Sequence, residues 1–193
     1  MFGNILENIG RHAQLTAEEQ AAFCALTERR QVKKKEKLVQ RGDVCRHEIY
    51  INKGCLRMFF TDREDVEHSF YFGIEDWWVS DLYSRSFKLP SEYEIVALED
   101  SEVLMIADED LEDFLLRVPK MERFYRKLLQ HSLAMYERRL LQEHLLTAEE
   151  RYKWFREKYP AFDNRIPQKY IASFLGITPE FFNTVRTKVL RQV

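Results

Sequence analysis

The sequence predicts an α+β chain: a β-rich first half, a long helix, and a helical end built as a helix–turn–helix. Three observations predict it. Short β-favouring runs recur at roughly ten-residue intervals between residues 31 and 106. Residues 120–159 then contain neither Gly nor Pro and carry apolar side chains at helical spacing. Residues 166–190 set two short helical patterns on either side of a glycine.

In chain order, residues 2–10 can form a short helix, and Thr16-Ala-Glu-Glu19 opens a clearer one with a capping-box pattern. Ala22, Phe23 and Leu26 are its expected buried side. After Arg29 the texture changes. Strands are expected at 37–40, 48–51, 55–61, 66–72, 93–98 and 102–106, separated by turn-forming stretches such as Arg41-Gly-Asp43 and Asn52-Lys-Gly54. Val66, His68, Phe70 and Phe72 alternate with Glu67, Ser69 and Tyr71, the period of a half-buried strand. Strands this short suggest a sandwich, a jelly roll or a small barrel.

Residues 108–118 return to helical spacing through Leu111, Phe114, Leu115 and Val118. Beyond Pro119, one stripe runs through Met121, Tyr125, Leu129, Leu133, Tyr136 and Leu140, and an adjacent one through Phe124, Leu128, Met135 and Leu141. A helix with two apolar sides must bury one on its own domain and the other elsewhere. A second copy of the chain is the expected cover, through Met121, Tyr125, Leu128, Leu129, Leu133, Tyr136 and Leu140. Thr147-Ala-Glu-Glu150 repeats the capping box inside this run, so the long helix should stop there and a new one begin, ending before Pro160. The implied domains are residues 1–118, 119–146 and 147–193.

In the last stretch, Pro167 suits the first turn of a helix that buries Tyr170, Ile171, Phe174 and Leu175, and Gly176 ends it. Thr178 caps the second helix, with Pro179 at its first position and Phe182, Val185 and Val189 inward. This is the pattern of a helix–turn–helix whose second helix enters a major groove; the plain alternative is a helical hairpin closing a bundle. In the groove reading Asn183 suits adenine edges, Glu180 a cytosine amine and Phe181 a thymine methyl, with Thr178, Thr184 and Thr187 beside them. Lys169, Lys188 and Arg191 are left for phosphates.

Charge agrees. The chain carries −2 overall, but residues 64–113 hold sixteen acidic against two basic side chains, and residues 146–193 nine basic against five acidic. A basic end on a groove-reading helix is what phosphate contact needs, so double-stranded DNA is the expected partner. Other classes are less well served. No apolar run approaches the roughly 20 residues of a membrane span, and the start lacks a basic n-region, so a cytoplasmic protein is expected. Cys24, Cys45 and Cys55 form no C-x-x-C pair and read as reduced thiols, too few for a four-cysteine cluster. The five histidines show no ligand spacing, and G-x-S-x-G, P-loop, G-x-G-x-x-G and H-E-x-x-H motifs are absent. No metal site and no enzyme are expected.

Gly42-Asp43 and Asn52-Lys-Gly-Cys-Leu-Arg57, then Thr147-Ala-Glu-Glu-Arg-Tyr152, then Ile166 through Glu180, stand in the order found in the CRP/FNR family of bacterial transcription regulators. The chain resembles that family over about residues 10–190. The resemblance implies an N-terminal double-stranded β-helix, or jelly-roll barrel, with flanking helices, like a cyclic-nucleotide-binding domain. It also implies a long dimerisation helix and a C-terminal helix–turn–helix that is winged-helix-like, its wing truncated by the end at Val193. A homodimer on a palindromic operator follows, with RNA polymerase and a small effector as further open partners.

Members that bind cyclic AMP hold the ribose with a glutamate and the phosphate with an arginine followed by Ser or Thr. Aligned on that cassette, the arginine position holds Ser91 and the next Glu92, the glutamate falls on Ser80 or Asp81, and the glycine becomes Val79. Residues 75–102 offer Arg85 and Lys88 against eight carboxylates, which repel a phosphate. No cofactor is expected, cyclic AMP included. Phe72, Trp77, Trp78, Ser80, Asp81, Ser91 and Glu92 are the candidate pocket residues, for another effector or as side chains that plug the barrel. In the recognition helix the resemblance keeps Glu180 but puts Phe181 where a small hydroxyl residue is usual and Thr184 where an arginine is usual. A weakly specific or A·T-leaning operator is expected. The alternatives are an interaction module that has lost specific DNA binding, or a regulator whose barrel still takes a cyclic nucleotide or other effector.

Overall fold

The computed structural model describes residues 2–191; the expected end of the last domain at Val193 lies outside the described residues. The chain forms two compact units, one of residues up to 58 with 72–130, the other of 59–71 with 131 onward. Its elements are α1 (Gly3–Gly10), α2 (Ala17–Ala25), β1 (Thr27–Val32), β2 (Lys37–Val39), β3 (His47–Lys53), β4 (Leu56–Thr61), β5 (Glu67–Gly73), β6 (Trp78–Val79), α3 (Leu82–Phe87), β7 (Glu94–Ala97) and β8 (Ser101–Ala107). There follow α4 (Asp108–Arg117), α5 (Lys120–Leu145), α6 (Ala148–Lys158), α7 (Phe162–Arg165), α8 (Gln168–Phe174) and α9 (Pro179–Leu190).

The strands make two four-stranded sheets, β1-β8-β3-β6 and β2-β7-β4-β5. Consecutive strands alternate between the sheets, except β4 and β5, and the neighbours β1/β8, β2/β7, β3/β6 and β4/β5 nest in jelly-roll order, so the expected barrel is present. β8 lies between β1 and β3, both antiparallel to it, with Arg29 opposite Leu104 and Tyr50 opposite Leu104 on the other side. Gly54, between β3 and β4, has φ +108°, and a Cβ there would fall 2.1 Å from Ser101 Oγ. Only glycine fits that turn.

The alternation of β3 and β8 decides what each face covers. Tyr50, Leu104 and Ile106 belong to a cluster with Ile5, Ile9, Phe114, Met121, Phe124 and Tyr125, the sides of α1, α4 and α5 laid on the first sheet. The intervening Ile49, Ile51, Val103 and Met105 are buried on the other face. Trp78 stands at the centre of the helix–sheet cluster, its ring 5.2 Å from Tyr50 and 5.6 Å from Phe124. Its Nε1 donates to Asn8 Oδ1 at 3.0 Å, and Asn8 Nδ2 donates to Asp76 Oδ1 at 2.8 Å. Burying each such aromatic stabilises by roughly 1.5–3 kcal/mol.

Several expectations change here. Met121 and Tyr125 are 0% and 7% exposed within this cluster, so α5 spends its first two turns on its own unit and these side chains cannot face a second copy. Trp78 does not plug the barrel, because β6 pairs it with Tyr50 on the helix-covered face. Ala22 is exposed and Leu26 half-buried, leaving Phe23 to anchor α2. The strand expected at 66–72 begins at Glu67, and its alternation breaks: Val66 is exposed before it and Ser69 within it is buried. β1 was not expected, because its Thr-Glu-Arg-Arg-Gln-Val sequence has no apolar alternation; it is held by the β8 ladder and by Arg29, which pairs with Glu102 at 2.5 Å. β6, α3 and α7 are short elements without a periodic signal.

Candidate nucleic-acid interface

The second unit carries the helix–turn–helix. α6 starts at the capping box read from the sequence: Thr147 Oγ1 accepts from Glu150 N at 3.3 Å, and Thr147 N donates to Glu150 Oε2 at 2.8 Å. Tyr152 and Phe155 of α6 are fully buried and form the hub. Tyr152 meets Phe182 edge-on at 5.0 Å, and Phe155 meets Phe162 and Phe174 at 5.9 and 5.6 Å. Arg156 Nε donates to Asp163 Oδ2 at 2.8 Å, fastening α6 to α7.

α8 is capped by Pro167 itself, one position earlier than a first-turn proline, since its ψ of 135° is outside the helix. At the other end Gly176 has φ +69°. Ile177 N donates to Ala172 O and Gly176 N to Ser173 O, both at 3.1 Å, the paired bonds that close a helix over a left-handed residue. Thr178 then caps α9, accepting from Phe181 N at 3.3 Å, with Pro179 in the first turn. Ala172, Ile171 and Leu175 from α8 and Phe182, Val185 and Val189 from α9 are all buried, so this packing fixes which face of α9 is left outside.

That outer face is the one the sequence singled out. Asn183, Thr184, Thr187, Lys188 and Arg191 line one shallow depression along it. Their spacing of one, three, one and three residues keeps them on a single side of the helix. Thr187 Oγ1 donates to Asn183 O at 2.8 Å, and Lys188 Nζ meets Glu149 Oε1 of α6 at 2.6 Å. Glu180 and Phe181 are exposed at the leading end, Phe181 by 51%. Thr178 is exposed beside them at the cap. Lys169 lies apart on α8, exposed, its Nζ 4.9 Å from the Tyr170 ring. Arg186 is half-buried and is not among the residues lining the depression.

The candidate pocket residues of the barrel differ in their surroundings. Phe72 and Trp78 are buried, Trp77 and Ser80 half-buried, and Glu92 is exposed, 3.4 Å from Arg41. Asp81 caps α3, accepting from Ser84 N at 3.0 Å, and accepts from Ser91 Oγ at 2.6 Å. Ser91 also bonds the Gly42-Asp43 turn through its backbone, so its groups are used. A small cleft of about 140 Å³ is lined by other residues, among them Val39, Cys45, His47 and Met105.

The sequence did not flag the fate of the two cations in this segment. Arg85 is buried between Glu48 and Asp108, donating to Asp108 Oδ1 at 3.0 Å and to Ser80 Oγ at 3.1 Å, and it also pairs with Glu48. Burial alone would lower its pKa; Glu48 and Asp108 overcome that and hold it above the usual arginine value. Lys88 pairs with the same Asp108. Burial works to raise the Asp108 pKa, but Lys88 and Arg85 hold it below the usual carboxylate value. Among the described residues there is no group of three or more His, Cys, Asp or Glu side chains able to hold a metal ion, and no helix is long and apolar enough to cross a membrane.

A jelly-roll barrel with a helix–turn–helix unit is the architecture of the CRP/FNR regulators, and the chain has that fold. It is similar to the catabolite activator protein of Thermus thermophilus (19% identity, TM-score 0.59, covering 96% of this chain and 87% of that one). It is similar also to CLP of Xanthomonas campestris, a c-di-GMP-responsive global regulator (16%, 0.70, 92% and 93%), and to FixK2 of Bradyrhizobium japonicum (14%, 0.73, 86% and 85%). No protein-family model and no curated protein sequence matches the chain.

Proposed function

We propose that this protein is a cytoplasmic, DNA-binding transcriptional regulator of the CRP/FNR type, not an enzyme, that binds a palindromic operator as a homodimer. The observation that carries the reading is the outer face of α9: capped, fixed by its buried side, and lined by Asn183, Thr184, Thr187, Lys188 and Arg191. Threonines and an asparagine for base edges beside cations for phosphates are the mixture a major-groove helix needs. Dimerisation is supported by the exposed leucines of α5, Leu129, Leu133, Leu140, Leu141 and Leu145, with Tyr136. Leu128 is partly buried on the first unit's core. RNA polymerase is the further partner this role would bring.

The barrel is proposed not to bind cyclic AMP. The two cations near the cassette are already neutralised by Glu48 and Asp108, and a phosphate would have to displace a buried carboxylate. In vitro selection from random duplexes at low salt tests the main reading. Inverted half-sites one helical turn, about 34–36 Å, apart are expected. Failure to enrich any duplex would favour the second reading, an interaction module without specific DNA binding, to which exposed Phe181 and Thr184 give some support.

A further inference from the structure

The outer part of the β4–β5 hairpin, residues 59–71, belongs to the same compact unit as the helix–turn–helix. Ser173, near the end of α8, sets its hydroxyl against the β5 backbone. It accepts from Ser69 N at 2.8 Å and donates to Glu67 O at 3.0 Å, serving one N–H and one C=O of the strand as a neighbouring strand would. Beside it, Arg139 of α5 donates to Phe70 O at 2.5 Å and to Phe174 O at 3.2 Å. Its guanidinium lies 4.1 Å from the Phe174 ring centre and 5.7 Å from that of Phe70. Tyr136, a turn earlier, stacks on Phe70 at 5.4 Å, and Glu143, a turn later, holds the guanidinium at 3.3 Å. Phe174 in turn packs on Phe155 of α6. A hairpin and two helices therefore meet at one cation, and Phe174 carries the contact on to α6. The Phe174 carbonyl is among the last of α8, an acceptor the helix itself leaves unpaired, and a cation there also meets the negative end of the helix.

We propose that Arg139 and Ser173 are positioning residues for DNA recognition. They fix α8, and through the Gly176 turn α9, against α5, so the angle between recognition helix and dimer helix is set by this clamp and needs no small effector. The inference rests on the regulator reading. In this arrangement the outer face of α9 is exposed.

The test uses the full chain with Arg139→Ala, Arg139→Lys and Ser173→Ala. Hydrogen exchange of the 170–175 amides, measured without DNA, should quicken at least tenfold in Arg139→Ala and less in Ser173→Ala, while α1 and β8 stay as in the parent. Affinity for a selected duplex should fall tenfold or more in Arg139→Ala, with dimerisation unchanged by sedimentation. Arg139→Lys should recover little of it, since an ammonium cannot serve two carbonyls and two ring faces at once. Unchanged exchange overturns the clamp, and quickened exchange with unchanged affinity overturns its positioning role. Were no duplex bound by the parent chain, quickened exchange would uphold the clamp while the regulator reading failed. If Arg139→Ala does not fold, Ser173→Ala decides by the same two readouts.

Discussion

Glu48, Arg85 and Asp108 form a charged triad whose arginine and glutamate side chains are 8% and 9% exposed. Such a group adds little net stability when complete but is costly to break, because the remaining charge is buried without its partner. Glu48→Ala leaves Arg85 with Asp108 alone and should lower the unfolding free energy, by at most about 3–5 kcal/mol in urea titrations. Glu48→Ala combined with Arg85→Met should recover much of that loss. The depressed Asp108 pKa gives a pH sign. A carboxyl with a lowered folded pKa stabilises above its unfolded value and loses that contribution as pH falls through the folded one. Stability should decline below about pH 4, and less steeply in Asp108→Asn. Tyr125 makes the opposite case: its hydroxyl is buried without a hydrogen-bond partner among the described residues. Tyr125→Phe should leave thermal stability unchanged or raise it, and a loss above about 1 kcal/mol would reveal a bond the hydroxyl makes.

At the scale of elements, α9 and α5 each expose one face that packing leaves unused. Asn183→Ala should change the base preference recovered by duplex selection, and an unaltered sequence logo would remove Asn183 from its base-reading role. Leu133→Arg, on a side chain 60% exposed, should turn a dimer into a monomer in sedimentation without lowering the melting temperature of the first unit. Both faces were legible in the sequence because helical periodicity and caps are local: Thr16, Thr147 and Thr178 cap where their sequence patterns place them. Strands whose partners are distant were legible only when apolar. β1, at Thr27–Val32, is a strand because β8 accepts it, and nothing in its polar sequence announces that. Trp78 misled for the same reason. Adjacent aromatics at a cassette suggest a pocket, yet which face of a two-residue strand turns toward the helices depends on pairing with Tyr50. Arg139 and Ser173 gave no local signal, since their partners lie about seventy and one hundred residues away.

For the molecule as a whole, charge is segregated into an acidic middle and a basic end. In the proposed reading, the carboxylates of residues 64–113 disfavour a phosphate ligand, and residues 146–193 supply cations for a duplex. Calorimetric titration with cyclic AMP should give no saturable heat in the micromolar range. The ion pair between Lys188 and Glu149 bears on how binding would respond to ionic strength. A lysine held by a carboxylate reaches a phosphate only by breaking that pair, and until it does so the phosphate keeps its condensed cation. The slope of log affinity against log salt would then undercount the cations on α9. Glu149→Gln should tighten binding at low salt and steepen that slope, by up to about 0.9 for each phosphate contact so unmasked. Arg191, whose partner is a phosphate alone in this reading, would contribute its full share from the start.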